Sequence, residues 1–280
     1  MAVKADLHLH SSASDGLLSS TDLVAFAAHC GLTDCALTDH DTLNGAYDAM
    51  SAAQVAGIRL WPGVEMSTEE RVEVHILGYF AKPEMGLIER LEALRQMRIE
   101  RLHEMVYTLE SMGICFEPGD IVCSPGSAPG RMHVARALVA RGYAPTVNEA
   151  FKRYLVKGRR GFVPRKKLAP EQAIAIIRQF GGVPVVAHPG IIPVSAGALF
   201  AQLNRYVEAG MMGIEVYHPR HMPAQRAQFR QFAQEQRLLI TGGSDYHGVP
   251  GAQMPGEEAL GWTTMEQDYT EFLAKIEAQS

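Results

Sequence analysis

The chain has 280 residues, a net charge of −5 and 47% hydrophobic residues, which suits one large α/β domain, with or without an insertion. No apolar run approaches the roughly 18 residues of a membrane span, and the acidic balance argues against bulk attraction to nucleic acid. The four cysteines form no C-x-x-C pair and the first residues carry no basic, apolar, small-residue leader pattern, so the expectation is a cytoplasmic protein with reduced thiols.

Short β-rich apolar runs alternate with helical patterns. Strands are predicted over residues 3–8, 34–38, 59–65, 72–80, 183–187, 213–216 and 238–241. Helices are predicted over 21–30, 45–56, 84–112, 170–179, 198–209, 223–236 and 265–278, with Ser20 or Thr21 as the first N-cap and Gly31 as its stop. Such alternation implies a mainly parallel sheet, open or closed into a barrel. Glu65 and Val72 are too close for a helical crossover, so the third and fourth strands should form a hairpin, with Glu65 almost opposite His75. Residues 113–168 carry helices and no convincing strand. The predicted organisation is therefore an α/β body in two parts, 1–99 and 169–280, around a helical insertion at 100–168.

Charge is unevenly distributed. Residues 152–167 hold eight cations and no acid, leaving 18 basic against 31 acidic residues elsewhere, a balance of −13. An acidic body with one basic segment suits a site that holds metal cations and recruits a polyanion; a solvated basic loop is the plainer alternative.

Histidines and acids stand at predicted strand ends along the whole chain: His8-x-His10, Asp15, His40, Glu65, His75, His188 and Asp245-x-His247. Loops after strand C-termini form the working face of parallel α/β folds, so these groups should converge. Imidazole and carboxylate together suit Zn, Mn or Fe. Six histidines and three acids exceed the needs of one ion, so two or three divalent metals are expected, with Glu65 as the bridge. His218 and His221 follow a strand, where they either reach substrate or shape a loop.

The runs DLHLHSSASDG, ALTDHDTLNGA, GVEMSTE, VHILGYF, VVAHPG, GIEVYHP and TGGSDYHG resemble the motif series of the PHP (polymerase and histidinol phosphatase) domain. That resemblance covers nearly the whole chain. It implies a distorted (β/α)7 barrel of the amidohydrolase superfamily, here with a helical insertion. It also implies a partition of ligands: His8, His10, Glu65 and Asp245 on one metal; Glu65, His75 and His188 on a second; Asp15, His40 and His247 on a third. The runs GRMHVARALVARGY and EAFKRYLVKGRRGFVP resemble the PHP subgroup of 3′,5′-nucleoside bisphosphate phosphatases and 5′-to-3′ exoribonucleases. In that reading Arg131 and His133 contact substrate. Arg98 and Arg101 share a helical face and join them, with Lys166 and its neighbours Arg165 and Lys167 as further candidates.

The function so implied is metal-dependent removal of the 3′-phosphate from a nucleoside 3′,5′-bisphosphate, such as adenosine 3′,5′-bisphosphate, by a metal-bridging hydroxide, most simply with manganese. His221 or a metal-bound water would protonate the leaving group. Three alternatives stand beside it: exonuclease action on short RNA, C–N hydrolysis, and a noncatalytic nucleotide sensor. No membrane and no obligate protein partner are inferred.

Overall fold

The computed structural model describes residues 4–121, 123, 126–164, 167–248 and 266–279. Seven strands follow one another in chain order across a single sheet: β1 (Ala5–Leu9), β2 (Asp34–Leu37), β3 (Arg59–Glu69), β4 (Glu73–Tyr79), β5 (Val183–Val186), β6 (Gly213–Tyr217) and β7 (Leu239–Gly242). All neighbours pair parallel except β4, which runs antiparallel to both β3 and β5. Backbone bonds from Asp245 N–H to His8 C=O and from His10 N–H to Tyr246 C=O bring the chain after β7 against β1, so the sheet nearly closes on itself. The seven-stranded barrel implied by the sequence is the fold observed.

Because β4 alone is reversed, its start lies level with the C-terminal ends of the other strands. That is why His75, near the beginning of β4, reaches the same end of the barrel as His10, Glu65 and His188. The hairpin register differs from the sequence expectation. Ser67, not Glu65, is opposite His75, and Glu65 is opposite Leu77. The cause is the length of β3, which runs on to Glu69 before a short turn. Thr68 secures this extension, donating its hydroxyl to Val74 C=O at 2.6 Å. The offset is two residues, so Glu65 and His75 remain on one face and meet diagonally.

Helices α1 (Ser20–His29) and α2 (Asn44–Ala56) pack on one flank of the barrel. The N-cap of α1 is Ser19, whose side chain accepts from Asp22 N–H, one residue earlier than expected. Gly31 follows with φ 78°, as a C-terminal stop requires. Helices α6 (Pro170–Gln179), α7 (Ala196–Glu208) and α8 (Pro223–Gln236) cover the other flank, with Ile174, Ile177, Leu203 and Phe229 buried against Val64, Ile76 and Ile214. The last helix, α9 (Glu266–Glu277), closes the opposite end from the histidines. Its Tyr269 hydroxyl lies between Trp61 Nε1 (3.0 Å) and Asp34 Oδ1 (2.5 Å), at the starts of β3 and β2, while Phe272 and Ile276 pack beneath Leu77 and Tyr79.

Described residues between 113 and 163 contribute to a separate helical core. Ile114, Leu138, Leu155 and Val163 pack with Leu102, Met105 and Leu109 from the second half of α3 (Met85–Glu110). Leu87 and Leu91 from its first half pack in the barrel core. One continuous helix thus serves both cores. The helical part also holds α4 (Arg131–Ala140) and α5 (Val147–Ala150), the latter continuing as a π-helical turn, Phe151–Leu155.

Candidate metal centre and substrate cleft

All nine predicted ligands meet at one end of the barrel. His8 and His10 share a face of β1, and His10 stands one residue past its end. Glu65 lies in the second half of β3, bracketed by backbone bonds from Glu65 N–H to Asp39 C=O and from Asp41 N–H to Glu65 C=O, which set His40 beside it. Glu65 is the hub. Its carboxylate lies 2.8 Å from His75 Nδ1, 2.9 Å from His188 Nε2, 3.0 Å from His40 Nδ1, 3.2 Å from His10 Nε2 and 3.5 Å from His8 Nε2.

The backbone is shaped around this meeting. Among the described residues, four non-glycines have positive φ, and three of them, Asp41 (52°), His188 (29°) and Asp245 (53°), adjoin the cluster. Such conformations cost energy and persist where surrounding structure enforces them. Gly243 is required for closure: a Cβ there would lie 2.2 Å from the His8 Cβ.

The donor geometry fits a cation. His8 Nε2 and His10 Nε2 are 3.1 Å apart, and both face Asp245 Oδ1, at 3.4 and 3.2 Å. With Glu65 Oε1 3.5 Å from His8 and Oε2 3.2 Å from His10, these separations run 3.1–3.5 Å, near the roughly 3.4 Å between neighbouring donors around an ion with bonds of about 2.1 Å. Two imidazole nitrogens at 3.1 Å need a proton or a cation between them. His40 Nδ1, though 3.0 Å from Glu65, makes no hydrogen bond, nor does Asp15 Oδ1 beside His247.

Outward contacts orient several rings. His8 Nδ1–H donates to Glu215 at 3.0 Å, His247 Nδ1–H donates to Asp245 C=O at 2.8 Å, and His75 Nε2 faces Glu73 at 3.4 Å. Each bond leaves the other nitrogen's lone pair directed inward, the arrangement typical of ligating histidines. Three groupings have all their donor atoms within 4.8 Å: His8, His10, Glu65 and Asp245; His40, Glu65 and His75; His10, Asp15, His40 and His247. The first matches the implied partition. In the others His40 and His10 are shared, and His188 joins through its contact with Glu65.

Electrostatics follow from the crowding. Burial works to raise the pKa values of Glu65, Asp15 and Asp245, yet the imidazoles around them hold each well below the usual carboxylate range. Burial works to lower those of His75 and His247, yet Glu65 beside the one and Asp15 beside the other raise them to about 9 and about 10. Without a bound cation, these two rings therefore carry protons at pH 7.5 and must release them in order to ligate. Metal affinity should rise with pH through neutrality towards pH 9. Calorimetric titration at pH 7.5 in buffers of different ionisation enthalpy should show release of about one to two protons; none released would contradict the ligand roles of both rings.

Above the cluster lies a cleft of about 150 Å³ facing the helical part. Asp15, His40 and His75 line its floor, and Arg98, Arg101, Arg131 and Lys167 line its other side. Arg131 lies 2.8 Å from Glu73 Oε2 and Lys167 lies 2.6 Å from Glu73 Oε1. Arg101 Nε donates to Val163 C=O at 2.7 Å. Arg98 is committed to structure: Nε to Asp41 (2.7 Å), one terminal nitrogen to Ser67 Oγ (2.7 Å) and the other to Pro129 C=O (3.4 Å). His133 does not line the cleft. Its Nδ1 accepts from Gly130 N–H at 3.1 Å, capping α4. Lys166 and Arg165 lie outside the described residues.

His221, the candidate acid, is engaged at both ring nitrogens. Its Nδ1–H donates to Val216 C=O (2.9 Å) and its Nε2 accepts from Gly190 N–H (3.0 Å), while the ring packs on Phe229. Partners of fixed polarity define a neutral ring that ties two loops together and leave neither nitrogen to act as the acid expected. Glu215 joins the site without having been among the sequence candidates, and His218 was one that the sequence left open. Glu215, fully buried, holds His8 through one oxygen and accepts from His188 N–H (2.7 Å) through the other; an acid inside the apolar strand GIEVY was the available signal. His218 is 1% exposed, with Nε2 3.7 Å from Asp245 Oδ2 and Nδ1 accepting from Arg220 N–H.

A family model described as "PHP domain" matches residues 6–154. The chain belongs to the PHP domain family. Among its PHP relatives, the 3′,5′-nucleoside bisphosphate phosphatase of Chromobacterium violaceum is 35% identical over 88% of this chain and 87% of that protein. The 5′-3′ exoribonuclease Rnm of Escherichia coli is likewise 35% identical, over 88% of this chain and 86% of its own. Solved structures of similar shape include a candidate metal-dependent phosphoesterase from Bifidobacterium adolescentis (TM-score 0.85, 30% identity, 98% of this chain and 97% of that one). An amidohydrolase from C. violaceum, solved with bound sulfate and no metal, superposes with a TM-score of 0.84 at 31% identity, covering 98% and 97% of the two chains. The fold is thus shared across the length of the chain.

Proposed function

We propose that this chain is a metal-dependent phosphoesterase that removes the 3′-phosphate of nucleoside 3′,5′-bisphosphates, with adenosine 3′,5′-bisphosphate as the type substrate. The observation that carries the reading is the cleft itself: a cluster fit for divalent cations on one side, and Arg131 and Lys167 on the other. The relatedness to the bisphosphate phosphatase of C. violaceum supports it.

The ligands proposed are His8, His10, Asp15, His40, Glu65, His75, His188, Asp245 and His247, for two or three ions, most simply manganese, with zinc or iron as alternatives. Bound divalent ions supply a nucleophilic hydroxide near neutral pH and polarise phosphoryl oxygens. The chain's own contribution is placement. Glu215, Glu73 and the Asp245 carbonyl orient the rings, and Arg131 and Lys167 hold the second phosphate by charge-assisted bonds. Arg98 ties the helical part to the barrel, so that this part acts as a substrate cap. His218, aimed at Asp245 from beside His188, is a further group near the reacting centre. Reduced cysteines support a cytoplasmic setting, and no helix among the described residues is long and apolar enough to cross a membrane.

A screen of phosphorylated nucleotides with manganese-loaded protein tests the reading. Strong preference for a ribose with two separate phosphates is expected, and equal rates on simple monophosphates would refute it. Arg131→Ala should lower kcat/KM for the bisphosphate roughly 10- to 100-fold, the cost of a hydrogen bond to a charged group, while a 3′-monophosphate changes much less.

One observation favours a second reading, exonuclease action on short RNA. Beyond Glu73, Arg131 and Lys167 the cleft opens into a cavity of about 290 Å³ lined also by Arg71, Lys157 and Phe162. Cations with an aromatic ring suit a further nucleotide. The Rnm relative fits this reading, and turnover of short 5′-phosphorylated RNA set against the bisphosphate separates the two.

A further inference from the structure

Glu73 stands where the two cavities meet and lines both, as do Arg131 and Lys167. Its carboxylate makes three contacts at once: Oε2 to Arg131 at 2.8 Å, Oε1 to Lys167 at 2.6 Å, and Oε1 to His75 Nε2 at 3.4 Å. Lys167 also lies 3.4 Å from Glu69. The cations best placed for an incoming phosphate are thus already engaged by an acid of the protein, and that acid also touches the candidate ligand His75.

We infer that Glu73 is a resident anion in the second-phosphate subsite and sets the selectivity of the enzyme for a terminal phosphate, because a substrate must take Arg131 and Lys167 from it. This rests on the function proposed above. The exchange is unequal by charge. A carboxylate brings one negative charge and two oxygens, whereas a terminal phosphate brings about −1.5 to −2 at neutral pH and three strong acceptor oxygens. A terminal phosphate therefore outcompetes Glu73 on the two cations, while a phosphodiester, with a single charge, only matches it and a free hydroxyl has none. Released from them, the carboxylate keeps His75 Nε2–H as its partner, which holds that ring in place during the exchange. Glu73 excludes weaker ligands by having to be displaced, a repulsive contribution to specificity.

Glu73→Gln removes the competing charge and keeps an acceptor for His75. With manganese-loaded wild-type, Glu73→Gln and Glu73→Asp proteins, one would measure metal content, melting temperature, and KM and kcat on a nucleoside 3′,5′-bisphosphate and on its 3′-monophosphate. Expected for Glu73→Gln are full metal content and a bisphosphate KM lower by roughly five- to tenfold, with stronger competitive inhibition by inorganic sulfate. Glu73→Asp keeps the charge on a side chain one methylene shorter, so its bisphosphate KM should fall less than that of Glu73→Gln. An unchanged or raised bisphosphate KM in a metal-replete, folded Glu73→Gln protein would overturn the inference. So would loss of metal, which would make Glu73 only a support for His75. If the wild type itself shows no preference for the bisphosphate, the functional reading fails and this one with it. If the wild type prefers the bisphosphate and Glu73→Gln behaves identically, this inference alone fails.

Discussion

Glu65→Gln is expected to abolish turnover and most metal binding while leaving a folded barrel. The expected fall in kcat/KM is roughly 10³-fold or more, since metal-borne stabilisation of the transition state amounts to several kcal/mol and each 1.4 kcal/mol or so is tenfold. Among the described residues no other side chain faces so many of the rings: five histidines lie within 3.5 Å of its carboxylate. Replacing one oxygen by an amide nitrogen removes both the charge and the second acceptor needed to bridge. It also takes away the anion that holds His75 in its raised range. Metal content and phosphate release, measured on the same preparation, check this. Full metal occupancy with less than tenfold loss of activity would show that the hub is not a bridge. Near-wild-type folding, read from circular dichroism, is expected because hydrophobic clusters on both flanks and at the far end hold the barrel independently of Glu65.

Arg98→Ala is expected to act on stability first. Arg98 joins α3 to the loop after β2 through Asp41 at 2.7 Å and to β3 through Ser67 at 2.7 Å. Arg98 and Asp41 are both buried. Removing the guanidinium leaves the Asp41 carboxylate buried without it, a change that costs about 3–5 kcal/mol when one partner of a buried pair is deleted. Asp41 also accepts from Ser67 N–H at 3.0 Å, so its displacement would disturb β3 next to Glu65, and activity should fall as a consequence. Arg98→Lys should recover little, because a single ammonium cannot reproduce the planar fork that spans Asp41, Ser67 and Pro129 C=O. Urea unfolding measures the change. A loss below about 1 kcal/mol would place the pair among those of small net worth, and would return Arg98 to the role of substrate contact expected from the sequence.

Each pattern visible along the chain is local. The alternation of short β-rich runs with helices, the absence of a crossover between Glu65 and Val72, and the position of histidines after strand ends are all features of neighbouring residues. They suffice for a mainly parallel sheet with one antiparallel hairpin and a polar face at one end; closure into a barrel was implied only by the resemblance to the PHP motifs. The register of that strand was misjudged by two residues because the extension of β3 to Glu69 depends on Thr68 meeting Val74 and on Glu69 N–H bonding Leu168 C=O, a partner about a hundred residues away. Arg98 does line the cleft, as its helical spacing with Arg101 suggests, but its tie to the Asp41 carboxylate on another element is beyond what spacing carries.

By itself, the order of residues determined the fold class, the nine donors and the end of the barrel where they gather, because period-two spacing and strand-end placement are properties of the backbone path. The tertiary structure alone decided which donors share an ion-sized space, that His221 is locked neutral between two loops, that Glu215 orients His8, and that Glu73 already occupies the cations of the cleft. Those outcomes depend on distances of about 3 Å between residues up to roughly 200 positions apart. Hydrogen-bond polarity and charge competition act only across such contacts, and no one-dimensional pattern carries them.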